Sequence, residues 1–155
     1  MALAVLKTSS PLRVVVRPHP SHGRDDVQRL VPRELRELTS IYYSDDLPKL
    51  LGQADVVIGE YSTLLIEAAV YGAAVIAFEP DEVPLPISLA QQKVALRAAS
   101  SDEISMLVSR KLREQKWDLP ENESVAAATY LLGPLDGRAT ERLAELIAKI
   151  SSNEP

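Results

Sequence analysis

An α/β fold on a mostly parallel sheet of five or six strands, flanked by helices in three layers, is predicted by three features of this chain. Short apolar runs alternate with helical-period segments along most of its length. The stretch from Asp55 to Pro80, DVVIGEYSTLLIEAAVYGAAVIAFEP, reads as strand, polar turn, helix and second strand without interruption. The chain has 155 residues, 46% of them hydrophobic, enough for one domain with a sizeable core, so residues 1–155 are read as a single domain.

Each element has a local reason. Ala2 to Lys7 resembles the last turns of a helix, closed by the turn signal Ser9-Ser10-Pro11. Leu12 to Val16 is a continuous apolar strand, and Arg17-Pro18-His19-Pro20-Ser21-His22-Gly23 is a polar, proline-stiffened loop. A helix follows from Asp25 to about Leu30, where Pro32 breaks the pattern, and a short second helix crosses Arg33 to Leu38. Thr39 to Tyr42 is the second strand. Asp46 to Leu51 carries a helical pattern capped by Asp45 or Asp46. Val56 to Ile58 is the third strand, Ser62 the N-cap of the next helix, and Leu64, Leu65, Ala68 and Ala69 its packing face. Ala73 to Phe78 forms the fourth strand, and Glu79 to Pro86, with three prolines and three acids, is a loop. Lys93 to Arg97 is the fifth strand; Ser101-Asp102-Glu103 caps a helix to about Gln115. Trp117 to Asn122 connects to closing helices at Glu123 to Leu132 and Gly137 to Ile150, the last with Leu143, Leu146, Ile147 and Ile150 on one face.

Composition bounds the chemistry. A formal charge of -5, with no basic patch beyond Arg110-Lys111-Arg113, argues against broad nucleic-acid or anionic-membrane binding. Cysteine is absent, which removes disulfides, thiolate ligands and cysteine nucleophiles. With His19 and His22 as the only histidines and no metal-ligand spacing, neither a structural metal nor a cofactor is expected. Met1 to Leu6 is apolar but too short for a signal sequence or membrane span, so a soluble, cytoplasmic protein is expected.

Candidate chemistry concentrates after the third strand, at Gly59-Glu60-Tyr61-Ser62-Thr63. The free amides and positive dipole end of a first helical turn favour an anion, and the hydroxyls of Ser62 and Thr63 add two donors. Thr63 and Glu67 are four apart and share a helical face at roughly 6 Å. A carboxylate one turn below a phosphate can accept from both hydroxyls of a ribose. Most serines in this position are only caps, and Glu67 also reads as a solvated helix residue.

The loop after the first strand is the second feature. Arg17 can fork onto a phosphate, and His19, held by Pro18 and Pro20, can donate to an oxygen or act as acid or base. An equally weighted reading has Arg17 pairing with an acid and His19 capping a carbonyl. His22 reads as an exposed loop residue. In the third feature, Leu132-Gly133-Pro134-Leu135-Asp136-Gly137-Arg138-Ala139-Thr140-Glu141-Arg142, Asp136 is an N-cap, and Arg138 and Arg142 share a face available to an anion. Parallel sheets bind ligands beyond the carboxyl ends of their strands, which puts Arg17 to Gly23, Tyr43 to Asp45, Gly59 to Thr63 and Glu79 to Val83 on one expected rim.

Taken together, RPHP at 17–20, DLPKLLGQADVVIGEYSTLLIEAAVYGAAVIAF from 46 and LGPLDGRATERLAELI from 132 resemble the C-terminal, donor-binding half of GT-B fold transferases. The CDP-glycerol glycerophosphotransferases and related surface-polysaccharide enzymes are the most similar, and the resemblance extends over nearly the whole chain from Leu12. It implies a Rossmann-like domain that holds a CDP- or UDP-linked donor. In that family the Arg-x-His-Pro loop, matched by Arg17, His19 and Pro20, serves the donor diphosphate, which makes His19 the candidate catalytic residue. The serine pair that contacts phosphate is matched by Ser62 and Thr63, and the ribose-binding acid by Glu67. Arg17, Glu60, Ser62, Thr63, Glu67 and Arg138 form the candidate donor-binding set. Two departures stand out: Glu60 and Glu67 replace the Asp often found in the glycerophosphotransferases, with Glu67 closer to sugar-nucleotide transferases and 2-epimerases, and Ala74 replaces the usual proline before the next strand.

A GT-B enzyme also needs an acceptor-binding domain, for which 155 residues leave no room. The resemblance therefore implies half an enzyme, inactive alone, that meets an acceptor-binding domain in cis or in trans and through it the inner face of the membrane. Its implied role is synthesis of a surface polysaccharide or teichoic-acid-like polymer. The alternatives are half of a UDP-N-acetylglucosamine 2-epimerase-like enzyme and a non-catalytic nucleotide-binding or assembly module.

Overall fold

The computed structural model describes residues 12–19, 21, 23–43, 46–84 and 86–152. The expected helix end at Ala2 to Lys7, the turn at Ser9 to Pro11, and Pro20, His22 and Asp45 lie outside these residues. Strand β1 (Val14–Val16) leads to α1 (Arg24–Leu30), a 3-10 turn (Arg33–Leu35) and β2 (Thr39–Ile41). There follow α2 (Leu47–Leu51), β3 (Val56–Gly59), α3 (Thr63–Val70), β4 (Ala74–Phe78), β5 (Leu96–Ala98), α4 (Ser101–Glu114), α5 (Glu121–Leu132) and α6 (Ala139–Ser152). The protein is α/β, and among the described residues all strand pairs are parallel.

The strands do not form the single sheet of five or six expected from the alternation. They form a pair, β1-β2, and a separate three-stranded sheet, β3-β4-β5. In the pair, Val14, Val15 and Val16 lie beside Thr39, Ser40 and Ile41.

The larger sheet carries the core, and the alternation along β4 explains why both of its faces are covered. Val75 and Ala77 face one way, into a cluster with Leu65, Ala68 and Ala69 of α3 and Ala128 of α5. Ile76 and Phe78 face the other way, against Ile104, Leu107 and Val108 of α4. A strand buried on both faces reads as a continuous apolar run, as Ala74 to Phe78 does. Three layers are thus realised around β3-β4-β5: α3 and α5 on one side, α4 on the other. On α5, Ser124 sits within this apolar contact and donates its hydroxyl to the Val94 carbonyl at 2.7 Å, satisfying both buried groups.

Boundary differences have local causes. The fifth strand starts at Leu96 and not at Lys93, because Lys93 has φ +59° and closes a left-handed turn. Its amide bonds to the Ala90 carbonyl, and that of Val94 to Leu89. Ser100, one residue earlier than expected, caps α4, accepting from the Glu103 amide while the Glu103 carboxylate accepts from the Ala99 amide at 2.8 Å. Helix α5 begins two residues before Glu123, with Glu121 and Glu123 in its positive first turn. Arg33 to Leu38 makes only a 3-10 turn, since the chain must become extended by Thr39 to pair with β1.

Candidate functional site

The turn after β3 is built by its neighbours. Gly59 ends the strand where a Cβ would come within 3.2 Å of Leu65 Cδ2, so the absence of a side chain lets the apolar start of α3 close over the strand end. Ser62 then adopts extended geometry and accepts from the Leu64 amide at 3.2 Å, while its carbonyl accepts from Leu65 at 3.1 Å. The capping reading is therefore realised. It leaves the Ser62 hydroxyl proton, the Thr63 hydroxyl and the Thr63 amide at the mouth of the helix. At the other end, α3 closes in a Schellman motif: Gly72, at φ +82°, donates to Ala69 and Ala73 donates to Ala68. That stop directs the chain straight into β4, so α3 stands over the sheet with its N-terminus at the carboxyl end of β3.

Glu60, Ser62 and Thr63 are exposed on this turn, and Glu67 is half-buried one helical turn further on. The register Gly59 to Ala77 places the turn beside the loop after β4. These four candidates are brought together by one continuous segment. Arg17 and His19 come from another segment: they follow β1, which pairs with β2. His19 Nδ1 accepts the Ser21 amide at 3.3 Å and lies 2.7 Å from Ser21 Oγ. In the neutral ring that acceptor role puts the proton on Nε2.

Arg138 belongs to a self-contained cluster at the start of α6. Its Nε donates to Glu141 at 2.7 Å, and its amide donates to Asp136 at 3.0 Å. Arg142 donates through Nη1 to both Asp136 oxygens, at 2.8 and 2.9 Å, and through Nη2 to the Pro134 carbonyl. Asp136 is not the N-cap expected of it: α6 starts at Ala139 and its first intrahelical bond is accepted by the Arg138 carbonyl, so Asp136 lies two residues before the cap position and holds the turn that leads into the helix. The Arg142 hydrogen bond, then the Arg138 amide, hold its carboxyl below the ordinary value of 3.8.

One feature of the rim escaped sequence reasoning. Glu79, placed in a polar loop by its composition, is buried at the end of β4. Its carboxylate accepts from Ser88 Oγ at 2.7 Å, from the Leu89 amide at 2.9 Å and from the Ala90 amide at 3.4 Å. The missed signal was position: an acid directly after the apolar run Ala74 to Phe78 starts at the depth of the core, where a carboxylate needs several donors. Through it the 88–90 turn is fixed to the sheet. A cleft lined by Glu79, Asp81, Val83, Ile87, Gln91 and Arg97, among others, lies alongside.

Among the described residues no group of three or more His, Cys, Asp or Glu side chains is arranged to hold a metal. No helix of theirs is long and apolar enough to cross a membrane. Compared with protein-family models, curated proteins and solved structures, the chain finds no match.

Proposed function

We propose that this chain is a nucleotide-diphosphate donor-binding domain of Rossmann type, equivalent to the C-terminal half of a GT-B glycosyltransferase or glycerophosphotransferase of surface-polymer synthesis. The observation that supports it best is the Ser62-capped start of α3 at the carboxyl end of a parallel strand, with Thr63 and Glu67 on the same helix. In this reading Ser62, Thr63 and the first-turn amide hold the diphosphate, Glu67 holds the ribose, and Glu60 borders the site. Donors already placed on a leaving diphosphate lower the barrier as its charge grows. Arg17 and His19 act on the transferred side of the donor, with His19 as the catalytic group. Arg138 joins by exchanging Glu141 for the donor, which costs little because the pair is exposed. An acceptor-binding domain completes the enzyme, and the donor is CDP- or UDP-linked.

The exposed apolar face of α6, where Leu143, Leu146, Ile147 and Ile150 are 54% to 66% exposed, favours assembly as a second reading. Thermal-shift and calorimetric titration with CDP, UDP and GDP separates the two. Under the donor reading one nucleotide raises the midpoint, and Glu67→Ala weakens it about tenfold, the loss expected for a charge-assisted hydrogen bond. If none of the three shifts the midpoint, the donor reading fails and the assembly reading stands.

A further inference from the structure

A groove of about 200 Å³ opens between the end of α1, the 3-10 turn and β2. Gln28, Val31, Arg36, Thr39 and Ile41 line it, so it shares no residue with the donor site proposed above. Thr39 and Ile41 are two apart on β2 and stand on one face of the strand. Val31, 3% exposed, and Ile41 make the groove apolar on one side. The Thr39 hydroxyl proton is already committed to the Leu35 carbonyl at 2.7 Å.

Arg36 is the charged residue of the lining, and no acid shares that lining with it. Its Nε donates to the Val31 carbonyl at 3.4 Å, which orients the guanidinium and leaves both Nη groups for another acceptor. Among the described residues Arg36 enters no ion pair, whereas Arg97, Arg110, Arg138 and Arg142 each have an acid. The surrounding segment, residues 24–41, holds four basic and four acidic side chains. The groove therefore presents one uncancelled positive charge on a locally neutral background.

We propose that this groove binds a small aliphatic monocarboxylate, its carboxylate on the two Nη groups of Arg36 and its hydrocarbon chain on Val31 and Ile41. The end-on fork of a guanidinium matches the two oxygens of one carboxylate, and a single negative charge matches the single cation. A phosphate dianion would set its second charge and remaining oxygens against Val31 and Ile41, where no donor meets them. The volume lies below the range of about 300–1,000 Å³ usual for drug-sized ligands, which limits the chain to a few carbons. This site rests on the groove alone and does not need the nucleotide reading.

The test follows the Arg36 Nε–H and the Val31 and Ile41 methyl resonances by NMR during titration of the whole chain with four probes: 4-methylpentanoate, acetate, 4-methylpentanol and inorganic phosphate. 4-Methylpentanoate is expected to move all of these resonances with one midpoint. Acetate, which lacks the chain, binds about tenfold more weakly, as the loss of a few part-buried methylenes predicts. The alcohol and phosphate each bind more weakly than 4-methylpentanoate, the first for want of charge and the second for want of donors. Arg36→Gln weakens 4-methylpentanoate about five- to tenfold. Equal binding of acetate or of the alcohol, tighter binding of phosphate, or 4-methylpentanoate affinity unchanged in a folded Arg36→Gln variant overturns the proposal. The four-probe comparison on the unaltered chain decides it even where that variant does not fold. Absence of any nucleotide binding leaves it standing, because no probe carries a nucleotide.

Discussion

Replacing Glu79 by alanine tests whether the end of β4 is organised by a buried carboxylate. The side chain accepts three hydrogen bonds, but the three do not weigh equally. The Leu89 amide, bonded at 2.9 Å in a buried position, has no other acceptor once the carboxylate is gone. The Ala90 bond at 3.4 Å is weak, and the Ser88 hydroxyl can rotate toward water. One orphaned buried amide together with one lost charge-assisted bond costs about 2–4 kcal/mol. For a domain of this size that lowers the melting midpoint by roughly 5–12 °C. Glu79→Gln should cost only about 1 kcal/mol, since its carbonyl still accepts from Leu89 and its amide can donate to Ser88 Oγ. Urea unfolding followed by circular dichroism gives both values, and hydrogen exchange reports the Leu89 amide directly. A loss below about 0.5 kcal/mol for the alanine variant, with Leu89 protection unchanged, would refute the reasoning.

Further outcomes follow from the same contacts. Gly72→Ala forces a left-handed residue and brings a Cβ to 3.2 Å from Glu121 Oε1, so chemical denaturation should show a loss of about 1–2 kcal/mol. Gln115→Gly relieves a left-handed residue at the exposed end of α4 and should add about 0.5–1 kcal/mol in the same assay. Leu146→Glu on the exposed face of α6 should leave the monomer's stability within about 0.5 kcal/mol, and a larger loss would show that the face is covered in solution. Asp136 should titrate below 3.8 by carbon NMR, and Arg142→Gln should bring it back toward that value. Because the folded value is the lower one, any stabilisation from this carboxylate is present above the ordinary carboxylate value and fades as pH falls through the depressed one.

The segment from Asp55 to Phe78 was legible because each signal in it is local. An apolar run, a glycine, a serine cap and small residues on one helical face specify strand, turn and helix without help from distant residues, and each element appears within a residue or so of its expected place. Glu60, Ser62, Thr63 and Glu67 fall on one turn and the helix it opens for the same reason. Lys93 was misread because a left-handed lysine leaves no mark in composition; the turn is imposed by the Leu89 and Ala90 carbonyls. Glu79 was misread because acids beside prolines signal a loop, while its burial depends on how far β4 runs beneath α3 and α4.

By itself the amino-acid sequence determined an α/β chain with parallel strands and a capped helix start at the end of its most apolar unit, since period, caps and breakers act over a few residues. Only the tertiary structure decided that the strands divide into a pair and a triplet, that Arg17 and His19 follow a strand of the pair and Ser62 a strand of the triplet, and that Arg138 is held by Glu141. It alone paired Arg97 with Asp81. Those outcomes depend on edge pairing, burial depth and competition between distant charges, which are settled by how whole elements pack.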